Sequence, residues 1–151
     1  MRAVVQRVRS ASVRVGGDTV GEIAGGLLVL LGVGHDDGAR EVEWMSRKIA
    51  RLRIFADDSG RMNLDVREVG GGVLLVSQFT LYGDARQGNR PGFSDAAPPD
   101  RAEPIVEQVA AAVRSHGASV ETGRFGASMS VSLENDGPVT IVLETPASQS
   151  P

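Results

Sequence analysis

Gly71-Gly72-Val73-Leu74-Leu75-Val76-Ser77-Gln78-Phe79-Thr80-Leu81-Tyr82-Gly83-Asp84 is the stretch whose reading decides the fold. Val73 to Val76 is an unbroken apolar run behind two glycines. It is too short for a helix and predicts a strand buried on both faces. Polar Ser77, Gln78 and Thr80 follow at once, before a Tyr82-Gly83-Asp84 turn. Polar groups at the mouth of a buried strand need partners or a task. Serine and threonine at a strand end most often satisfy nearby backbone groups. A second polar knot, Asn135-Asp136-Gly137-Pro138-Val139-Thr140, also stands between two apolar runs and tilts the reading towards a site.

Upstream, Ala3–Val8 is strand-like, and Ser12–Val15, Gly16-Gly17-Asp18 and Thr19–Ile23 read as a hairpin. Leu27 to Val33 is a second continuous apolar run, hence a central, doubly covered strand. Gly34-His35-Asp36-Asp37-Gly38 reads as a solvated loop, because one histidine beside two aspartates is not a diagnostic metal spacing. Val42, Met45, Ile49 and Leu52 fall at helical spacing and predict a helix from about Arg40 to Leu52. Arg47, Lys48 and Arg51 lie off that stripe between Arg40 and Arg53, forming the one dense basic cluster. It is either a solvated face, helped by a Glu43–Arg47 pair, or a contact for a phosphate backbone.

Arg53–Phe55 is short and strand-like, and Met62–Asp65 returns the chain to the core. Arg86 to Pro99 is irregular, and a loop of that length is usually functional or mobile. Pro99 to His116 reads as a second helix with Ile105, Val109, Ala112 and Val113 buried, Pro104 disturbing its first turns and Gly117 stopping it. Ser119–Thr122 opens a last β section, Ser128–Leu133 alternates, and Asn135–Pro138 turns the chain into Val139–Leu143. The fold expected is α+β, a single domain over residues 1–144. It has a mostly antiparallel, curled or barrel-like sheet and two packed helices, with a disordered tail at 145–151.

With 151 residues and no cysteine, the chain suits one domain without disulfides or Cys-ligated metals. No stretch approaches the roughly 20 apolar residues of a membrane span, and Met1–Arg7 lacks a signal-peptide core, so a soluble intracellular protein is the default. A net charge of −3 predicts no general attraction to nucleic acid, so any such contact needs a local patch. A Gly-x-Ser-x-Gly elbow, a P-loop, a dinucleotide fingerprint and a His-Glu-x-x-His helix are all missing. His35 and His116 both sit at element ends, which disfavours a Ser-His-Asp triad. An enzyme of this sequence works with backbone amides, hydroxyls and the substrate itself.

Ser77-Gln78-Phe79-Thr80-Leu81 and Asn135–Thr140 resemble the signatures of the D-aminoacyl-tRNA deacylases of the D-tyrosyl-tRNA deacylase type. Gly88–Pro91, Phe93–Pro99 and Thr122–Ala127 add support, and the resemblance runs from Met1 to Leu143. Gly92 stands where that family is expected to carry serine. The resemblance implies a cytoplasmic hydrolase of the ester between a D-amino acid, or glycine, and the terminal adenosine of tRNA, with no cofactor and no metal. It implies a homodimer with sites at the interface. Ser77, Gln78, Phe79 and Thr80 would form the reaction centre, with amides near Gln78 and Phe79 polarising the ester. Gly137 and Pro138, joined by a cis bond, would act as chirality filter in the partner's pocket, and Phe125 and Met129 would line the adenosine pocket. Either Thr80 or the ribose 2′-OH would assist the attack. The competing readings are a non-catalytic nucleic-acid binder using Arg47, Lys48 and Arg51, and a small-ester hydrolase with Thr80 as nucleophile.

Overall fold

The computed structural model describes residues 1–148, and positions 149–151 lie outside the described residues. Strand β1 (Arg2–Val15) is the strand the sheet is hung on. It turns at Gly16-Gly17 into β2 (Asp18–Ile23), the hairpin expected from the sequence. Strand β3 (Gly26–Gly32) runs antiparallel to the first half of β1, with Val5 opposite Val29. Helix α1 (Ala39–Arg51) and the short pair β4 (Phe55–Ala56) and β5 (Met62–Leu64) follow, before β6 (Gly72–Ser77). A one-turn 3-10 helix (Phe79–Tyr82), helix α2 (Pro99–Ser115), β7 (Ser119–Thr122) and β8 (Ser130–Glu144) complete the chain. The main sheet runs β2-β1-β3-β6-β7, and β8 pairs along the other edge of β1.

The sheet is mostly antiparallel, as expected, with two parallel pairings that make it mixed. β6 lies parallel to β3, with Val29 opposite Leu75, and β7 lies parallel to β6. A parallel pair needs a long crossover, and α1 and α2 supply the two crossovers here. The continuous runs Leu27–Val33 and Val73–Val76 carry the corresponding signal, since parallel strands are covered on both faces.

Alternation along the strands divides the apolar side chains between two layers. Val5, Leu27, Val29, Leu31, Val73 and Leu75 pack with Val42, Met45 and Ile49 of α1 and Ile105, Val109 and Val113 of α2. Val8, Val13, Ile23, Leu28, Leu74 and Val76 form a second cluster within the curl of the sheet. The curl brings β2 against β7 at Gly21, where a Cβ would stand 2.5 Å from the Thr122 carbonyl oxygen.

Two local expectations are corrected. Pro104 leaves the first turns of α2 helical, and the helix runs without interruption from Pro99 to Ser115. Its ring is exposed, and the carbonyl it leaves unpaired belongs to exposed Asp100. Asp37 is buried rather than solvated: it accepts the Met1 ammonium at 2.7 Å and the Gly34 N–H at 2.6 Å. Of the tail expected to be disordered at 145–151, positions 149–151 lie outside the described residues. Thr145 N–H donates to Met1 O at 3.0 Å, and the Pro146 carbonyl accepts from Arg40. Among the described residues, no helix is long and apolar enough to cross a membrane.

Gly21→Ala tests the closure of the curl. The added methyl meets backbone, so the variant is expected to lose about 1–3 kcal/mol in urea unfolding, as overpacked sites do. Wild-type stability in that variant contradicts the close approach.

Candidate active site

The β3–β6 ladder ends where the Gln78 N–H donates to Leu31 O at 2.7 Å. Beyond that rung the chain leaves the sheet and closes the 3-10 turn. The amide of Gln78 is therefore engaged, which narrows the free donors at this corner. The N–H groups of Phe79 and Thr80 have no hydrogen-bond partner among the described residues. A 3-10 turn leaves its first amides unpaired by construction. Tyr82 anchors the turn: it is buried, with the Arg2 guanidinium 4.6 Å from its ring centre. Burial, and after it the Asp37 carboxylate, pushes the Tyr82 phenol up to about 12, so it stays neutral and takes no acid–base role near neutrality.

Above this corner lies a cavity of about 580 Å³. Val76, Ser77, Gln78 and Phe79 form one side, with Phe93 and the start of α2 at Pro98, Pro99 and Ala102 beside them. Phe125, Met129 and Val131 form the other side. Phe79 and Phe93 meet edge to face at 5.2 Å. The lining contains no ionisable side chain. The fold thus gathers Ser77, Gln78, Phe79, Phe125 and Met129 around one space. Thr80 is exposed and outside the lining, and its Oγ1 accepts from Gln78 Nε2. Neither the Ser77 nor the Thr80 hydroxyl bonds a backbone group among the described residues, so satisfying the strand end is not their role. His35 Nε2 lies 2.6 Å from Ser94 O and His116 Nε2 lies 3.5 Å from Glu43, and neither imidazole lines the cavity.

Gly137 and Pro138 stand apart from this cavity. The expected turn between two strands is instead a bulge within the single strand β8. Gln6 pairs Thr140 and Val8 pairs Asn135, so Asp136–Val139 are extruded opposite Arg7 alone. The Gly137-Pro138 peptide is cis, and both residues are exposed. Asn135 closes the loop with its side-chain amide: Oδ1 accepts from Val139 N–H at 2.7 Å, and Nδ2 donates to Val139 O at 3.1 Å. Arg7 holds it from below, donating to Asp136 O at 2.9 Å and to Ile54 O at 2.6 Å. A Cβ on Gly137 (φ +142) would lie 2.9 Å from Val139 N and 3.2 Å from Arg7 Nη2.

Sequence reasoning missed Arg7, although a signal existed. Arg7 continues Ala3 and Val5 at strand spacing, so the alternation assigns a charge to the covered face. Phe93 was missed as a wall residue because its loop has no period.

Residues 4–144 match the family described as D-Tyr-tRNA(Tyr) deacylase. A protein of Anaeromyxobacter dehalogenans named D-aminoacyl-tRNA deacylase is 61% identical over 145 residues, covering 96% of this chain and 97% of its own. One of the same name from Chlorobaculum parvum is 56% identical over 147 residues, covering 97% and 99%. Among solved structures, the c-Myc DNA Unwinding Element Binding Protein superposes with a TM-score of 0.92 at 44% identity, covering 97% of this chain and 100% of that one. A probable eukaryotic D-amino acid tRNA deacylase superposes with a TM-score of 0.77 at 16% identity, covering 94% and 97%, a likeness of fold.

Asn135→Ala removes the groups that close the bulge and leaves the Val139 amide without its acceptor. The expected cost is about 1–3 kcal/mol, together with faster hydrogen exchange at the Val139 N–H. Unchanged exchange there contradicts the role given to Asn135.

Proposed function

We propose, from the premise that the chain belongs to the D-Tyr-tRNA(Tyr) deacylase family and is a hydrolase, a D-aminoacyl-tRNA deacylase, that it cleaves the ester between a D-amino acid, or glycine, and the terminal adenosine of tRNA in the cytoplasm, and rejects L-aminoacyl-tRNA through Gly137 and Pro138. The observation that carries the proposal is the cavity without an ionisable side chain, next to the free amides of Phe79 and Thr80. An aminoacyl ester is already activated. Polarising its carbonyl is worth roughly 10²–10³ in rate per donor. Ser77 adds a hydroxyl to that wall, and Phe125 and Met129 offer the adenine an apolar slot. Thr80 serves as a positioning residue. Its oxygen accepts from Gln78, which withdraws electron density, and no base stands by to take its proton. The attacking water is assisted by the vicinal 2′-OH of the substrate.

Chirality asks for more than a side-chain pocket gives. A methylene difference in an apolar pocket is worth about 1–3 kcal/mol, whereas a 10⁴-fold rejection requires about 5.5 kcal/mol. A backbone wall that clashes with one configuration at Cα supplies such a difference. Gly137 and Pro138 form a wall of this kind, fixed by Asn135 and Arg7, but they do not line the cavity of their own chain. Acting as the filter therefore requires a second copy to insert them, and the working unit is a homodimer with two shared sites.

The structural relative named for a DNA unwinding element gives a second reading, nucleic-acid binding through the basic face of α1 without chemistry. Single-turnover release of amino acid from D- and L-aminoacyl-tRNA between about pH 5.5 and 8.5 separates the two, and the D ester alone is expected to be cleaved, with no inflection near 6.5 of the kind a histidine base gives. Survival of both esters under excess protein refutes the deacylase mechanism. A histidine-like inflection refutes the amide-based account.

A further inference from the structure

The basic cluster on α1 is freer than its sequence suggests. Glu43, four residues before Arg47, is turned towards His116. Among the described residues, Arg47, Lys48, Arg51, Arg53 and Arg61 are exposed and none is paired with a carboxylate, although Arg53 donates to Asn63 O at 2.9 Å and to Asn63 Oδ1, which hold its guanidinium in place without neutralising it. Arg51 and Arg53 line a hollow of about 390 Å³ with Arg67, Asp65 and Glu68. Asp65 is occupied by Arg67 at 2.7 Å, while exposed Glu68, which accepts from the Asp65 N–H, keeps its charge and is outnumbered by the arginines around it. The surface left over is cationic on a chain of net charge −3.

Its place in the fold matters more than its charge. Within one chain it lies far from the cavity. α2 is 17 residues long, which is about 25 Å of helix. Its first turn lines the cavity, whereas its far end at His116 O accepts from Arg67, on the rim of the basic hollow. The filter loop is different. One guanidinium, Arg7, donates to both Asp136 O and Ile54 O, so Gly137 stands beside the segment that leaves α1 through Arg51 and Arg53.

We propose that the protomer that inserts Gly137 and Pro138 into a pocket also presents Arg47, Arg51 and Arg53 to the phosphate backbone of the tRNA whose end occupies that pocket. Each tRNA is then gripped by both subunits: one holds the aminoacyl end, the other supplies the filter and the phosphate contacts. The inference rests on the reading of the filter as a cross-subunit element. It adds specific residues and a subunit assignment for the RNA.

The test pairs variants in purified heterodimers carrying two different tags. One variant is Arg47→Ala/Arg51→Ala/Arg53→Ala. A second, Ala102→Trp, fills its own cavity. A third is Gly137→Val. As homodimers, the triple variant is expected to bind tRNA with a salt slope flatter by about three units and to cleave D-aminoacyl-adenosine at the wild-type rate. Arg→Lys at the same three positions should restore the slope. The heterodimer of the triple variant with Ala102→Trp is expected to recover about half the wild-type rate on tRNA. It contains one site with an open cavity served by intact arginines from the other chain. Gly137→Val, which as a homodimer is expected to lose its rejection of L-aminoacyl-tRNA, should recover that rejection when paired with Ala102→Trp. Recovery in the Gly137→Val pairing without recovery in the arginine pairing overturns the inference and leaves the cross-subunit filter standing. Failure of both pairings overturns the cross-subunit filter and the inference with it. An unchanged salt slope in the triple variant removes these arginines from the RNA path.

Discussion

One guanidinium ties together the parts of this molecule that matter for its function. Arg7 stands where β1 passes the extruded Asp136–Val139 loop, and its hydrogens reach the carbonyls of Asp136 and Ile54. Its side chain is 14% exposed, so these bonds are made largely out of water. Removing the donor strands two carbonyls, at about 1–3 kcal/mol for each that stays dry. The local cost is secondary to the geometry. Without Arg7 the tie between the loop and the exit of α1 is lost, and only Asn135 and the exposed Arg9–Asp136 pair at 3.2 Å would hold its shape. A backbone wall discriminates only if it cannot yield, because a wall that relaxes by a fraction of an ångström accepts both configurations.

The opposite end of the sheet obeys a similar economy of side chains. The last rung of the β3–β6 ladder uses the Gln78 amide, and the chain then turns so sharply that the next two amides find no partner among the described residues. Free donors beside an apolar cavity are worth more than the same donors in water, since the surrounding dielectric is lower. The cavity offers no acid, base or charged nucleophile. A site of that composition suits a substrate whose bond is already weak and whose own hydroxyl lies next to the ester. On the proposed reading, the chain supplies position, polarisation and exclusion.

Much of this was legible in the residues, and the failures have physical causes. The hairpin, the α1 stripe and the doubly buried runs followed from periodicity. The parallel pairing of β6 was present in Leu27–Val33 and Val73–Val76, yet the alternating strands around them favoured an antiparallel reading. Pro104 was given too much weight, because a proline on an exposed face loses one hydrogen bond to a carbonyl that water can serve. Asn135–Val139 looked like a turn, since asparagine, glycine and proline are turn formers. The bulge depends on Asn135 bridging to Val139 and on Arg7 filling the space beneath, and the Arg7–Asp136 contact joins residues 129 positions apart. Asp37 read as a solvated loop residue because the ammonium that occupies it comes from 36 positions away. Ser77, Gln78, Phe79, Phe125 and Met129 were named from the signatures, and the fold places them around one cavity. Periodicity carries no sign that Gly137 and Pro138 stand apart from that cavity; only the family resemblance suggests a place in a partner's pocket.

The central claim is that backbone amides and the substrate, and not the Thr80 hydroxyl, carry the chemistry. Its most direct test is single-turnover hydrolysis of D-aminoacyl-tRNA by Thr80→Ala, set beside wild-type protein acting on tRNA that ends in 2′-deoxyadenosine. Substantial activity is expected in the first case and a large loss in the second. Loss of activity in Thr80→Ala with full activity on the deoxy substrate would contradict the account and make Thr80 the nucleophile.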